Sequence, residues 1–315
     1  SLYVDDGKLY YDTGEHAAKE ATRMRKKLEA RWKIKFQEVD QPDTYLLSAN
    51  IKRHSSTHTS VGLKTYIEKN VKDHLPMALS DYPKAWARNP CDKNLMKDYE
   101  EALKREDENL LNGEEAERYG TLVGVLQFAC SFRPDVSFPV GVGGRCRTFP
   151  TAAMMKHMER VLVYLGHTSD LSIHYSARHP DAYKLTGRSD SSWEVRRSTT
   201  GFVIRLAGGA IEHGSRRQHC IAMSSTEAEM MGLAELALEL LYVRDVLTHL
   251  GHHFEPDDTE LATKDPEAHR LIHTAGDIVH GPTEVGVDNK GAYDLCHRCS
   301  NGKNSRHVER KVHKM

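Results

Sequence analysis

A chain of 315 residues is long enough for two domains. Its 44 Lys and Arg nearly cancel its 45 Asp and Glu, so overall charge argues neither for nor against a polyanionic partner. With 39% apolar residues and no run near the roughly 18 that a membrane helix needs, a membrane-embedded class is excluded. The chain opens Ser1-Leu2-Tyr3 without a basic-then-apolar leader, and its six cysteines are scattered, so the expectation is an intracellular, reduced protein.

In chain order, residues 1–12 alternate around Asp5-Asp6-Gly7, a hairpin signature. Glu15–Trp32 is rich in Ala, Lys, Glu and Arg and predicts an amphipathic helix. Strands are expected over Lys33–Val39 and Tyr45–Lys52, then a helix near Leu63–Leu75. Residues 76–116, with Pro83, Pro90 and dense charge, read as a linker with some helix. Helices follow over Tyr119–Ser131, stopped by Arg133-Pro134-Asp135, and over Thr151–Gly166.

Beyond Pro180 the pattern turns to short strands with Gly turns: Tyr183–Ser192, Thr199–Leu206 and Ala210–Arg216, the last two joined at Gly208-Gly209. A long helix is predicted from Thr226 to Leu250. Residues 251–283 lack a period and suggest an insertion. Glu284–Asp288 reads as a strand and Asn289–Cys299 as a helix.

Three carboxylates stand out by position. Asp190 ends a strand, and Asp288 follows the alternating Val285-Gly286-Val287 just before a helix. On the long helix Glu227 and Glu229 compete for the third place. At about 100° per residue, Leu233, Leu236, Leu240 and Leu247 lie within about 40° of Glu229, whereas Glu227 is roughly 160° away. Ser224 with Glu227 has capping-box spacing, which gives Glu227 a structural role. Glu229 is therefore the candidate. Converging carboxylates repel unless a cation neutralises them, and oxygen-only ligands suit Mg²⁺ or Mn²⁺. The bland alternative is that Asp190 caps a turn, Glu229 is solvated and Asp288 caps a helix.

Asp190-Ser191-Ser192-Trp193, Arg197-Ser198-Thr199-Thr200-Gly201-Phe202, Ser224-Ser225-Thr226-Glu227-Ala228-Glu229 and Asp288-Asn289 resemble, in order, the ribonuclease H pattern of copia-type retrotransposon Pol polyproteins. Upstream, Tyr119-Gly120-Thr121-Leu122-Val123-Gly124, Arg133-Pro134-Asp135 and Arg160-Val161-Leu162-Val163-Tyr164-Leu165-Gly166-His167-Thr168 resemble the family's segment joining polymerase to ribonuclease H. Leu2-Tyr3-Val4-Asp5-Asp6 is similar to the reverse-transcriptase catalytic hairpin. The resemblance implies an α/β fold: a ribonuclease H-like mixed sheet with flanking helices over 176–315, after an α+β region, 1–175, from the end of a reverse transcriptase. It implies that Asp190, Glu229 and Asp288 bind two Mg²⁺ or Mn²⁺ ions and cut RNA in an RNA–DNA hybrid. It also implies that Asp5 and Asp6 are a polymerase-site remnant. The implied partners are the hybrid and the rest of the polyprotein, with no small-molecule cofactor, in cytoplasmic retrotransposon particles.

Between Lys184 and His219 seven basic residues oppose three acidic ones, and Arg188, Arg196, Arg197, Arg216 and Arg217 are candidate phosphate contacts. Trp193 is read as a packing residue. The chain departs from the family in stopping before a further Ala-Asp segment, for which Glu309 is at most an auxiliary, and in the length of 251–283. An inactive remnant that only binds nucleic acid is the competing reading. Cys296-x₂-Cys299 with His307 and His313 gives a weaker zinc-module alternative.

Overall fold

A computed structural model of the chain describes residues 15–32, 43–55, 57–182, 184–194, 196–252 and 283–297. The hairpin around Asp5 and Asp6, the strand expected over Lys33–Val39, most of the 251–283 insertion, and Cys299, His307, Glu309 and His313 lie outside the described residues.

After helix α1 (Glu15–Trp32), an antiparallel sheet is built from β1 (Asp43–Leu46), β2 (Ala49–Ser55), β3 (His58–Gly62) and, much later in the chain, β4 (Ser172–Ser176), in that order. The single strand expected over Tyr45–Lys52 is in fact a hairpin. Leu47 and Ser48 take positive φ angles of 48° and 64°, the geometry of a two-residue hairpin turn, although neither is glycine.

Helices α2 (Lys64–His74), α3 (Lys84–Arg88), α4 (Leu95–Ala102), α5 (Gly113–Cys130), α6 (Ser137–Arg145) and α7 (Ala152–His167) pack together beside this sheet. Their core holds Leu63, Ile67, Leu122, Leu126, Met154, Met158 and Leu162. Thr151 caps α7, its hydroxyl accepting from the Met154 N–H at 3.3 Å. The segment 76–116 is not a linker. Leu95, Tyr99 and Ala102 are buried in the core, Arg160 of α7 bonds Asp92, and His157 Nε2 lies 2.7 Å from Asp98. Its dense charge reads as a linker in sequence because the partners stand some 60 to 70 residues away.

Helix α6 was not expected from sequence, since Pro139 and three glycines depress helix propensity. Close approach explains them: a Cβ on Gly143 would come within 2.2 Å of Met158 Sδ. Tyr119, fully buried, donates its hydroxyl to the Gly143 carbonyl at 2.7 Å.

The second sheet has the order β7 (Gly209–Arg217), β6 (Thr199–Leu206), β5 (Thr186–Ser191), β8 (Glu284–Gly286). It is mixed, with β5–β6 and β6–β7 antiparallel and β5–β8 parallel. The β6–β7 turn is made by Ala207 (φ 52°) and Gly208 (φ 84°), so Gly209 already belongs to the strand. The long helix α8 (Ser225–His252) lays Leu236, Leu240 and Val243 on Leu185, Phe202 and Ile204. The short helix α9 (Lys290–His297) packs Ala292 on Met230 of α8.

The two sheets meet where β4 approaches β7. The Ser176 N–H donates to the Ala207 carbonyl at 2.9 Å, and the Tyr175 hydroxyl donates to the Ala210 carbonyl at 2.6 Å. The whole is a mixed α/β structure with two sheets and flanking helices. No described helix is long and apolar enough to cross a membrane.

Candidate active site

Along β5 burial alternates, with Gly187, Ser189 and Ser191 turned towards α8 and Arg188 and Asp190 towards the opposite, open face. Two glycines set how closely the helix lies. A Cβ on Gly187 would come within 3.1 Å of Leu240, and one on Gly232 within 2.4 Å of Ser191 Oγ. With Gly232 pressed against the strand, Glu229 stands nearly one turn earlier on α8, at the end of β5.

There Glu229 Oε1 accepts the Ser191 N–H at 3.2 Å. Its Oε2 is buried and meets no hydrogen-bond donor among the described residues, with the Asp190 carboxylate alongside, and the residue as a whole is 5% exposed. Burial, and then the charges of Asp190 and Asp288, push its carboxyl up from 4.5 to about 7, against the Ser191 hydrogen bond.

Asp288 arrives by strand pairing. The parallel register matches Thr186 with Glu284 and Arg188 with Gly286, so continuing it by two residues sets Asp288 level with Asp190. One carboxylate oxygen from each of Asp190, Glu229 and Asp288 lies within 4.8 Å of the other two. The three thus offer a divalent cation a set of oxygen ligands, and the orphaned buried oxygen of Glu229 is the observation that fits one.

The competing structural roles fall to neighbours. Helix α9 is capped by Asn289, whose Oδ1 accepts the Ala292 N–H at 3.0 Å, and not by Asp288. Glu227 performs the capping expected of it: its N–H donates to Ser224 Oγ at 3.1 Å and its Oε2 accepts the Met223 N–H at 2.8 Å. Beneath the carboxylates sequence reasoning missed a polar layer. Gln218 Nε2 donates to Thr200 Oγ1 (2.9 Å) and to the Ala228 carbonyl (2.8 Å), while Ser191 Oγ lies 3.1 Å from Thr200 Oγ1. This layer ties β5, β6 and the start of α8 together. Isolated Ser, Thr and Gln give no periodic signal by which it could have been found.

The basic candidates separate. Arg188, beside Asp190 on the open face, and Arg196 and Arg197 in the β5–β6 loop are exposed and make no ion pair among the described residues. Arg216 does not belong with them. Its Nη1 bonds Glu239 at 2.6 Å and Glu235 at 3.1 Å, and its guanidinium stacks over Phe202, so its charge is spent on α8. Arg217 turns towards α4, its Nη1 3.4 Å from the Tyr99 hydroxyl. Trp193 also differs from expectation. It is 59% exposed, held by its Nε1 donating to the Ala222 carbonyl, because the loop after β5 carries it out beyond the sheet.

On the open face a cleft of about 1300 Å³ runs past Arg188, Asp190 and Asp288. Asp135, Phe138 and His174 also line it.

No protein-family profile matches the chain. The chain is 33% identical over 130 residues to "Secreted RxLR effector protein 161" of Plasmopara viticola, a match covering 40% of the chain and 90% of that protein. It is 32% identical over 141 residues to "Retrovirus-related Pol polyprotein from transposon TNT 1-94" of Nicotiana tabacum, covering 43% of the chain and 10% of the polyprotein. It is 30% identical over 137 residues to the corresponding polyprotein from transposon RE1 of Arabidopsis thaliana, covering 42% and 9%. The matched segment therefore spans about a tenth of the length of these two polyproteins.

Proposed function

The chain belongs to the Pol polyprotein family of copia-type retrotransposons, and from that premise we propose that residues 176–315 are a ribonuclease H-like unit hydrolysing the RNA strand of an RNA–DNA hybrid. Residues 1–175 are, in the same reading, the end of the reverse transcriptase that precedes it. The observation that carries the proposal is the convergence of Asp190, Glu229 and Asp288 around an unpartnered buried carboxylate oxygen.

Asp190, Glu229 and Asp288 are the residues that would hold the metal, and hard oxygen ligands favour Mg²⁺ or Mn²⁺ over softer ions. Two such ions, when bound, supply an activated water and charge stabilisation of the leaving oxygen of a phosphodiester. The chain's own groups do the rest. Burial pushes the Glu229 carboxyl up to about 7, so it is partly protonated at neutral pH, and a bound cation would favour its carboxylate form and the release of that proton. The Ser191 N–H orients Glu229 Oε1. Arg188, Arg196 and Arg197 hold phosphates by charge, without reading sequence, and the hybrid is recognised through groove shape and 2′-hydroxyls.

The test is cleavage of a labelled RNA–DNA hybrid with Mg²⁺ or Mn²⁺ against an EDTA control, using the wild-type chain and Asp190→Asn. Metal-dependent cutting of the RNA strand by the wild type alone is the expected result. The side chain of Asp190 is exposed, so its loss should change stability by less than about 0.5 kcal/mol. Undiminished cutting by Asp190→Asn refutes the assignment of the site. A hybrid that is bound but never cut by the wild type refutes the nuclease and leaves a nucleic-acid-binding fold.

A further inference from the structure

The first sheet carries a second set of convergent ligands, made of imidazoles. His54 comes from β2, His58 from β3 and His174 from β4. One ring nitrogen of each lies within 4.8 Å of the other two. His58 Nε2 is 2.9 Å from His174 Nδ1, and the His54 and His58 rings stack with centroids 4.5 Å apart.

Strand register explains the meeting. His58 and Ser60 share one face of β3, and His174 is the registered partner of Ser60. The β2–β3 register shifts between Arg53 and Ser55, which sets His54 at a bulge against His58. Ser60 Oγ, 2.8 Å from His54 Nε2, orients that ring.

The nitrogen–nitrogen contact between His58 and His174 itself requires that one of the two nitrogens present a lone pair. Neutral imidazoles in this arrangement are a nitrogen-only donor set, which selects zinc-class ions over Mg²⁺ or Ca²⁺. Tetrahedral zinc–imidazole bonds of about 2.0–2.1 Å separate ligand nitrogens by about 3.3 Å. The 2.9 Å pair needs only a small opening to reach that spacing.

We propose that His54, His58 and His174 form a binding site for a divalent transition-metal ion of the zinc class, with three imidazole ligands and one position open to solvent. Such an ion staples the β2–β3 hairpin to β4, the strand that leads through residues 177–185 into β5. His174 also lines the cleft past Asp190, so the staple braces a wall of that cleft.

The experiment is Zn²⁺ titration calorimetry on the full chain in excess Mg²⁺, repeated with His58→Gln and His174→Gln. The visible d–d absorption of Co²⁺ serves as an independent report on tetrahedral nitrogen coordination. The wild type should bind one more equivalent than either variant, or bind it at least about tenfold more tightly. Zn²⁺ held elsewhere in the chain cancels in the comparison. Zn²⁺ should raise the melting temperature of the wild type more than that of the variants. His174 is exposed, so Gln there leaves the fold intact by circular dichroism. Equal stoichiometry and affinity in wild type and His174→Gln, with the same Co²⁺ spectrum, overturns the proposal.

Discussion

Replacing Glu229 by Gln tests whether the carboxylate cluster is built for a cation. In the metal-free chain the Glu229 carboxyl is pushed up from 4.5 to about 7, first by burial and then by Asp190 and Asp288. Between those values the folded chain keeps a proton that the unfolded chain has lost. Stability from this group is therefore fully present below pH about 4.5 and drains away as pH rises through about 7. At about 1.4 kcal/mol per pKa unit the whole loss is about 3 kcal/mol. Gln keeps the shape and the acceptor for the Ser191 N–H but does not ionise. In EDTA, Glu229→Gln should thus match the wild type at pH about 4 and exceed its stability by about 3 kcal/mol at pH about 8. Saturating Mg²⁺ should reverse that order, because a cation that binds only the folded site stabilises the wild type by mass action. Urea unfolding at the two pH values, with EDTA or Mg²⁺, reads both effects. Parallel pH profiles of the two proteins in EDTA, or an equal response to Mg²⁺, would refute the reasoning.

Gly232→Ala should cost about 1–3 kcal/mol in urea unfolding and reduce cleavage, since its Cβ meets Ser191 Oγ at 2.4 Å and either turns that hydroxyl away from Thr200 or shifts α8, and Glu229 with it, on β5. Unchanged unfolding would show that the helix sits further out. Arg133 is 3% exposed; it forks onto Asp135 at 2.9 and 2.7 Å and donates to the Thr168 carbonyl at 2.9 Å. Arg133→Met should cost about 2–4 kcal/mol, less than a fully stranded charge because Asp135 reaches solvent. A loss under about 1 kcal/mol in thermal or urea unfolding counts against the clamp. Arg196→Ala with Arg197→Ala should weaken hybrid binding evenly across sequences and lower the salt slope by about 2. Arg216→Ala should leave that slope unchanged while destabilising the fold, because its charge is already paired to Glu235 and Glu239; filter binding over a salt series separates the two.

What could be read without tertiary structure was local. Amphipathic period gave α1, α2 and α8, and the stripe of Leu236 and Leu240 turned Glu229 inward and left Glu227 to cap, as found. Alternation with turn residues gave the three strands of the β5–β7 meander, because side-chain direction in a strand depends on neighbours two residues apart. The order of motifs gave the family.

Other features depended on residues distant in the chain. Helix α6 has poor local propensity and packs as it does because Gly143 admits Met158, and the charged residues of 76–116 are structural because Arg160 and His157 meet them. Arg216, one more exposed arginine in the sequence, is neutralised by a helix some 20 residues on. Asp288 stands level with Asp190 only through parallel pairing of strands nearly 100 residues apart, and the three histidines meet through a bulge and a register no local pattern encodes. The sequence by itself determined which side chains could bind metal, since that is a property of residue type and of local direction. Only the tertiary structure decided which of them share a site, because long-range strand pairing and helix packing set the distances between their ligand atoms.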